Sequence, residues 1–308
     1  FFFKQKTAYE ITVGDWLYHD EKKFPSGMKL IADNIHKNDM LAGLWLAPFA
    51  ATPKSYIYNK HKDWFVKNKN GKIPFASHNW GGFYALDIYN NEVRQYLKEV
   101  FDTVLNVWGY DMVKLDFLYA CCIIPFNGKS RGEIMCDAMD LIRELCGDKL
   151  ILGCGVPLAP AFGKVDFCRI GADMALSWGK KPFSREDVST KHALLNTIFR
   201  RELDGRAFLN DPDVFLLRDN NIKMSFEQRK LIAETASLFG NLLFVSDDVS
   251  TYNSNQKDCF INVTTRNKAD INYVNMDSDG DISIKYTLDG EKKGYCFNIN
   301  SGDKKVLI

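Results

Sequence analysis

Short apolar runs alternate with amphipathic segments of helical period between about residue 27 and residue 250. Seven runs have the length of buried strands: Leu41–Ala47, Phe83–Ile88, Met112–Phe117, Leu150–Cys154, Phe167–Ile170, Ala207–Asn210 and Leu242–Ser246. Between them, apolar residues recur at helical spacing, as in the segment that Asn90 can cap. A later helix is predicted between Ser225, a typical N-cap residue, and Gly240, a typical helix stop.

Strands that alternate with helices indicate a parallel sheet with right-handed crossovers. Seven repeats are most economically explained by a (β/α)8 TIM barrel over residues 13–250 whose first strand is missing or replaced. A doubly wound open sheet is the alternative. No glycine-rich phosphate-binding turn follows any of the runs, and this favours the barrel.

After Asp248 the pattern changes to short alternating runs separated by turn dipeptides. The predicted runs are Cys259–Thr265, Ile271–Asn275, Ile282–Leu288, Tyr295–Asn300 and Lys304–Ile308. The turns between them include Asp279-Gly280, Asp289-Gly290 and Ser301-Gly302. This pattern predicts a small antiparallel β-sandwich domain over residues 251–308.

Composition narrows the classes of partner. With 46% hydrophobic residues among 308, the chain can bury a substantial core, and its net charge of +1 gives no electrostatic reason to expect nucleic acid or an anionic membrane. No apolar run approaches the ~18 residues of a membrane helix. The eight cysteines form no CxxC pair, so we interpret them as reduced core residues and expect a cytoplasmic protein.

The spacing of the histidines indicates whether the chain can bind a metal ion. None of the five histidines stands at ligand spacing from another histidine or a cysteine, so we expect neither a bound metal nor another cofactor. The oligomeric state stays open, and a homo-oligomer is compatible with the sequence.

Candidate chemistry lies where polar residues end the predicted strands, because barrel enzymes carry their sites at the C-terminal strand ends. Lys114 and Asp116 are two residues apart and therefore share one face of a strand. A lysine beside a carboxylate keeps that carboxylate ionised. The pair is either a structural ion pair or a nucleophilic aspartate with a lysine that binds substrate hydroxyls.

A second acid follows a later strand. Arg169 lies at that strand's end and Asp173 in the loop after it, so both can reach the mouth of the barrel. Glycoside cleavage requires two acids, one nucleophile and one proton donor, and separate strand ends can supply them. A surface Arg–Asp pair is the alternative interpretation.

Other strand ends add further polar and aromatic side chains. They are Asp87, Asn210, Asp211, Asp213, Asp247 and Asp248, together with the tryptophans Trp45, Trp80 and Trp178. Acids combined with tryptophans suit a neutral, hydroxyl-rich ligand, since a sugar presents polar edges and an apolar C–H face. A single tryptophan is more often a core residue, so each counts for little alone.

The motifs resemble those of the α-galactosidase (melibiase) clan of retaining glycoside hydrolases. The resemblance rests on GDW…KFPSGMKLIADNIH, GLWLAP, HKDW, ALDIYNNEVRQYL, YDMVKLDF, CRIGAD and NDPD, between about Val13 and Val249. It implies a (β/α)8 barrel followed by a β-sandwich, and oligosaccharides or glycosides with terminal α-D-galactosyl residues as substrates. It also implies Asp116 as nucleophile and Asp173 as general acid/base. The implied sugar-binding residues are Lys114, Arg169, Trp45, Cys154, Asp211 and Trp80.

Three other functions stay open. A related α-glycosidase, such as an α-N-acetylgalactosaminidase or an α-glucosidase, would share the nucleophile and the acid. An aldolase-type lyase would use Lys114 as a Schiff base, although an ionised Asp116 nearby favours the unreactive protonated lysine. A non-catalytic barrel fragment is the third.

The N-terminus departs from the family pattern. Family members end the first barrel strand with an acidic pair that binds galactose hydroxyls, whereas here the first recognisable family residues are Gly14-Asp15-Trp16. Lys4–Ile11 matches the translation of a common sequencing-adapter oligonucleotide residue for residue. We therefore interpret residues 1–12 as a non-native segment joined to a truncated gene. We expect this segment to be able to occupy the first-strand position with only Glu10 as an acid, which would leave the chain inactive.

Overall fold

The structure, a computed structural model, describes residues 2–3, 12–179 and 188–307. The chain divides into two compact units, of which the first ends at Cys168 and the second begins at Arg169. The adapter interpretation falls mostly on residues 4–11, which lie outside the described residues. Within the described ranges, no helix combines the length and the apolar character that a membrane span requires.

The first unit is built on a parallel sheet. Its strands lie in the spatial order Phe2–Phe3, Ala42–Leu46, Met112–Leu115, Leu150–Gly153 and Phe167–Arg169. The residues of Ala42–Leu46 and Met112–Leu115 are all buried, as expected for strands covered on both faces. The two-residue strand Phe2–Phe3 pairs with Ala42 and Gly43, in the position expected for the first barrel strand.

Helices follow these strands. The α-helices of the first unit are Gly27–His36, Tyr56–Lys60, Asn91–Asp102 and Arg131–Cys146, with a π-helical turn at Thr103–Val107 and 3₁₀ turns at Lys62–Trp64, Asn79–Gly81, Leu118–Cys122 and Ala159–Ala161. The side chain of Asn90 accepts a hydrogen bond from the Glu92 amide, which confirms the predicted cap. Ser130 and Glu133 form a reciprocal capping box at the start of Arg131–Cys146.

The predicted run Phe83–Ile88 is not a strand of this parallel sheet. Phe83–Ala85 pairs antiparallel with Ala50–Ala51 on one side and with Phe75–Ser77 on the other. Met112–Leu115 therefore pairs directly with Ala42–Leu46. The strand before Asp116 is the third of the sheet, whereas the sequence places it fourth when the missing first strand and the run Phe83–Ile88 are counted. An apolar run fixes a strand but not its partner, and this is why the prediction was wrong.

The second unit also contains parallel pairing and helices. The Ile170 amide donates to the carbonyl oxygen of Asp211, at 3.1 Å, at the end of the strand Leu209–Asp211. Val214–Phe215 pairs parallel with Phe244–Val245. The α-helices are Thr190–Phe199, Phe226–Phe239 and Ser254–Thr265, with 3₁₀ turns at Arg201–Leu203 and Val249–Thr251. Ser225 caps Phe226–Phe239 and Gly240 follows its last residue, as predicted.

A four-stranded antiparallel sheet ends the chain. Its strands are Asp270–Met276, Asp281–Leu288, Glu291–Asn298 and Lys304–Val306, in that spatial order. Asp289 and Gly290 both have positive φ, as a two-residue hairpin turn requires. The prediction of a strand at Cys259–Thr265 is wrong, because this segment forms the second half of the helix Ser254–Thr265. Cys259 and Val263 of that helix share one core cluster with Ile282 and Ile284 of the sheet.

The order of elements along the chain gives the fold class. Parallel strands joined through helices, followed by an antiparallel sheet, are the order of a (β/α)8 barrel with a C-terminal β domain. Six of the eight cysteines are buried, and all eight are free thiols. Cys136 is exposed and Cys296 is partly exposed.

Candidate active site

Asp116 is a partly exposed carboxylate held at the end of a buried strand. It follows Met112–Leu115, and its amide donates to the carbonyl oxygen of Leu46 on the neighbouring strand at 2.8 Å. The indole Nε1 of Trp45 donates to Oδ2 at 3.1 Å, and the Phe117 amide donates to Oδ1 at 2.7 Å. Each carboxylate oxygen therefore has its own donor, and the orientation of the group is fixed.

The backbone around Asp116 is tightly shaped. Phe117 has a φ of 52°, a left-handed conformation that is rare for a bulky residue. Gly155 lies against it with a φ of +56°, and a Cβ there would be 3.0 Å from the Phe117 nitrogen and 3.3 Å from Asp116 Oδ1. The carbonyl oxygen of Gly155 also accepts a hydrogen bond from the Tyr119 amide at 2.9 Å. The loop at Gly155 thus supports the turn that presents Asp116.

Aromatic rings line the same strand end. The Trp80 ring lies 5.9 Å from the Trp45 ring and 4.6 Å from the Phe117 ring, measured between centroids. Trp45 is buried, whereas Trp80 is partly exposed. Trp80 therefore presents an apolar surface close to the residues that hold Asp116, of the kind that packs against the C–H face of a sugar.

Lys114 and Cys154 lie at the same end of the sheet. Lys114 is buried and is the register partner of Trp45 on the adjacent strand. Cys154 is also buried, and its amide donates to the carbonyl oxygen of Leu115 at 2.8 Å. The structure therefore brings together the five site residues that the sequence predicts in this unit, namely Trp45, Trp80, Lys114, Asp116 and Cys154.

In the second unit, one arginine contacts three carboxylates. Arg169 Nη1 lies 2.8 Å from Asp173 Oδ1, its Nε lies 3.1 Å from Asp211 Oδ2, and its Nη2 lies 2.6 Å from Asp213 Oδ1. The side chain of Arg169 is only 4% exposed. Of the three acids, Asp173 is 72% exposed, while Asp211 and Asp213 are 0% and 8% exposed. Only Asp173 is therefore available to a ligand.

Asp211 has a different position from the one the sequence suggests. Its fully buried carboxylate contacts Arg169 and accepts a hydrogen bond from the Asp213 amide at 2.8 Å. In this arrangement it holds Arg169, and its role in sugar binding stays a prediction. The alternative of a surface Arg–Asp pair does not hold for Arg169, which is a buried residue.

Asp213 was noted in the sequence as a strand-end acid but was not assigned to the site. Burial raises the pKa of its carboxyl above the ordinary value; the Arg169 guanidinium opposes this rise, and Asp211 and Asp173 reinforce it. The signal that could have identified it is its place in Asn-Asp-Pro-Asp, directly after a strand.

Two further features raised by the sequence are the aromatic face of Trp178 and the question of a metal site. Trp178 is a core residue, buried with its Nε1 donating to the carbonyl oxygen of Ile299 at 3.0 Å. Across the described part of the chain, no group of three or more His, Cys, Asp or Glu side chains could hold a metal ion.

Each unit presents one candidate carboxyl group. The first presents a carboxylate whose orientation is fixed, beside an apolar aromatic surface, and this suits a nucleophile. The second presents an exposed carboxyl on a buried guanidinium, and this suits a group that exchanges protons with a ligand.

Comparison with known proteins finds similarity to α-galactosidases. The Melibiase family model matches residues 2–129. The α-galactosidase Mel36A of Lactobacillus acidophilus is 31% identical over 105 residues, which are 34% of this chain and 14% of that protein. The "A type blood alpha-D-galactosamine galactosaminidase" of Flavonifractor plautii is 29% identical over 130 residues, or 39% of this chain and 12% of that protein.

A solved structure covers nearly the whole chain. The α-galactosidase TtGalA of Thermus thermophilus, in complex with p-nitrophenyl α-D-galactopyranoside, matches with a TM-score of 0.79 and 29% identity. The match covers 92% of this chain and 57% of TtGalA. A complex of TtGalA with stachyose matches with a TM-score of 0.76 and 31% identity over 84% of this chain. The chain thus spans little more than half of TtGalA and 14% of Mel36A, and over most of its length it is similar to α-galactosidases.

Proposed function

We propose that the protein containing this chain is a retaining α-galactosidase that removes terminal α-D-galactosyl residues from oligosaccharides or glycosides. The observation that carries the proposal is the contrast between two strand-end acids. Asp116 is fixed by two N–H donors, and Asp173 is exposed on a buried arginine. The similarity to TtGalA, whose complexes contain a galactoside and stachyose, supports the choice of sugar.

In the first step, Asp173 acts as the acid. It donates its proton to the glycosidic oxygen while an oxygen of Asp116 attacks the anomeric carbon. The bond to the leaving alcohol breaks, and a covalent galactosyl ester of Asp116 forms. The Trp45 and Phe117 N–H groups hold the attacking carboxylate in one orientation.

In the second step, Asp173 acts as the base. It takes a proton from a water molecule, whose oxygen attacks the anomeric carbon and releases the Asp116 carboxylate. Two displacements at one carbon leave its configuration unchanged. The hydrophobic face of the sugar would pack against Trp80, and Lys114 would bind its hydroxyls.

A second candidate function is hydrolysis of α-N-acetylgalactosaminides. The similarity to the Flavonifractor plautii galactosaminidase favours it over other sugars. Both functions use the same two acids, so only the substrate separates them. For either function we propose a cytoplasmic location, on the basis of eight free cysteines.

A panel of nitrophenyl glycosides tests this choice. The panel contains the α-galactoside, the α-N-acetylgalactosaminide, the α-glucoside and the β-galactoside. It is assayed with the 308-residue chain and with a form that carries the genomic sequence preceding Val13 in place of residues 1–12. We expect the highest kcat/KM on the α-galactoside. A higher value on the α-N-acetylgalactosaminide would select the second function, and inactivity of both forms would contradict both.

Gly155→Ala is expected to reduce both stability and turnover. The positive φ costs an alanine about 1–2 kcal/mol, and the new Cβ would press on the Phe117 nitrogen and Asp116 Oδ1. Denaturant unfolding and kcat measure the two effects. The matched control is Gly163→Ala, because Gly163 has a φ of +69° with no atom within 4 Å of the Cβ position. The control should lose stability but keep its kcat, and an equal kcat in both variants would contradict the role of Gly155.

A further inference from the structure

Asp213 contacts the Asp173 segment at two points. Its Oδ1 lies 2.6 Å from Arg169 Nη2, and the same guanidinium contacts the Asp173 carboxylate through Nη1. Its Oδ2 accepts a hydrogen bond from the Met174 amide at 2.6 Å. Since Met174 directly follows Asp173, one buried carboxylate restrains both the side-chain partner and the backbone of Asp173.

Asp211 does not share this geometry. It contacts Arg169 through Nε and accepts from the Asp213 amide. Neither contact reaches the backbone beside Asp173. Asp211 therefore restrains Arg169 alone, whereas Asp213 restrains both sides of the Asp173 residue.

The conformation of Asp213 is itself unusual. Its φ is +80°, a region that non-glycine residues seldom adopt. The preceding Pro212 packs on Gly240, where a Cβ would be 2.7 Å from the proline ring. A strained, buried residue persists only where its surroundings hold it in place, and such residues concentrate at functional sites.

We propose that Asp213 is a positioning residue that fixes the Asp173 carboxyl for proton transfer through Arg169 and the Met174 amide. This inference rests on the proposed function, in which Asp173 is the acid and base. Asp213 is 8% exposed and need not touch the substrate. Its effect is to keep the exposed carboxyl in one orientation, and misplacement of a catalytic group by about 1 Å costs about 100-fold in rate.

Asp213→Asn is the variant that isolates this role. An asparagine has nearly the same shape but only one acceptor oxygen, so its NH₂ group must face either Arg169 Nη2 or the Met174 amide, both of which are donors. Because the charged guanidinium is the stronger donor, the remaining oxygen faces Arg169 Nη2 and the contact with the Met174 amide is lost. Glu202→Gln is the matched control, because Glu202 is an exposed acid of the same unit that pairs with Arg201 and Arg206.

The readout is the dependence on leaving group. A methyl α-galactoside needs a proton on its leaving oxygen, whereas a dinitrophenyl α-galactoside leaves without one. We expect Asp213→Asn to lose about 100-fold in kcat/KM on the methyl substrate and less than about threefold on the dinitrophenyl substrate. Equal losses on both substrates, or no loss, would overturn the positioning role. Glu202→Gln should match the wild type on both.

A second measurement does not require turnover. Hydrogen–deuterium exchange at the Met174 amide should be at least about tenfold faster in Asp213→Asn than in the wild type or in Glu202→Gln, because the amide loses its acceptor. Unchanged exchange would overturn the proposal. If the wild type hydrolyses neither substrate, the proposed function is contradicted. The rate of hydrogen–deuterium exchange at the Met174 amide still shows, without turnover, whether Asp213 restrains the backbone beside Asp173.

Discussion

Asp116→Asn is expected to lower kcat/KM on α-galactosides by at least about 10⁴-fold, because an amide cannot form the galactosyl ester. Folding should change little. One oxygen of the side chain still accepts a hydrogen bond, and losing the other acceptor in this partly exposed group costs about 1 kcal/mol. Steady-state kinetics and thermal unfolding of the same preparation measure both quantities.

The control for this variant is Asp102→Asn. Asp102 is an exposed acid of the same unit, and its carboxylate accepts a hydrogen bond from the Asn106 side chain one helical turn later. It should keep wild-type activity. Turnover by Asp116→Asn within tenfold of the wild type would remove Asp116 from the nucleophile role.

Asp173→Asn should fail selectively on substrates that need a proton. We expect a loss of about 10³-fold to 10⁴-fold in kcat/KM on methyl α-galactoside and a much smaller one on dinitrophenyl α-galactoside. The exposed position of Asp173 makes the substitution mild for folding, since its carboxylate is 72% exposed. In the variant, the galactosyl enzyme accumulates on the dinitrophenyl substrate because no base activates water.

Reaction with azide distinguishes the catalytic roles of Asp116 and Asp173. It needs no general base, so it should release the galactosyl enzyme of Asp173→Asn and yield α-galactosyl azide. The product is identified by its anomeric proton in NMR spectra. Formation of the β-azide would mean that the missing group was the nucleophile, and the assignments of Asp116 and Asp173 would have to be exchanged.

Several parts of the fold could be predicted from residues that are close together in the sequence. The caps at Asn90 and Ser225 are set by side chains hydrogen-bonded to amides two or three residues away, so the sequence alone could predict them. The same holds for the hairpin at Asp289-Gly290. Lys114 and Asp116 could be placed at a strand end because a strand has a period of two.

The errors came from partners that are distant in sequence. The run Phe83–Ile88 is apolar enough for any buried strand, and only its pairing with Ala50–Ala51 and Phe75–Ser77 makes it antiparallel. Cys259–Thr265 is compatible with both a strand and a helix. The capping box between Asn253 and Gln256 decides for the helix, and this local signal could have been recognised.

The candidate site shows the same limit. Asp173 and Arg169 were predicted from their place after a strand. The contacts of Asp213 with Arg169 and the Met174 amide span about forty residues of chain, and no periodicity reports them. The support that Gly155 gives to Phe117 is equally invisible in the sequence, because it depends on a close approach of two loops.

Trapping the covalent intermediate tests the central claim most directly. A fluorinated α-D-galactosyl fluoride forms a galactosyl enzyme that turns over slowly, and trypsin then releases two informative peptides. Leu115–Lys129 contains Asp116 as its only acidic side chain, and Ile170–Lys180 contains only Asp173. We predict that the fluorosugar mass is found on Leu115–Lys129 and is absent from Asp116→Asn. A label on Ile170–Lys180, or on any other peptide, would contradict the assignment of Asp116 as nucleophile.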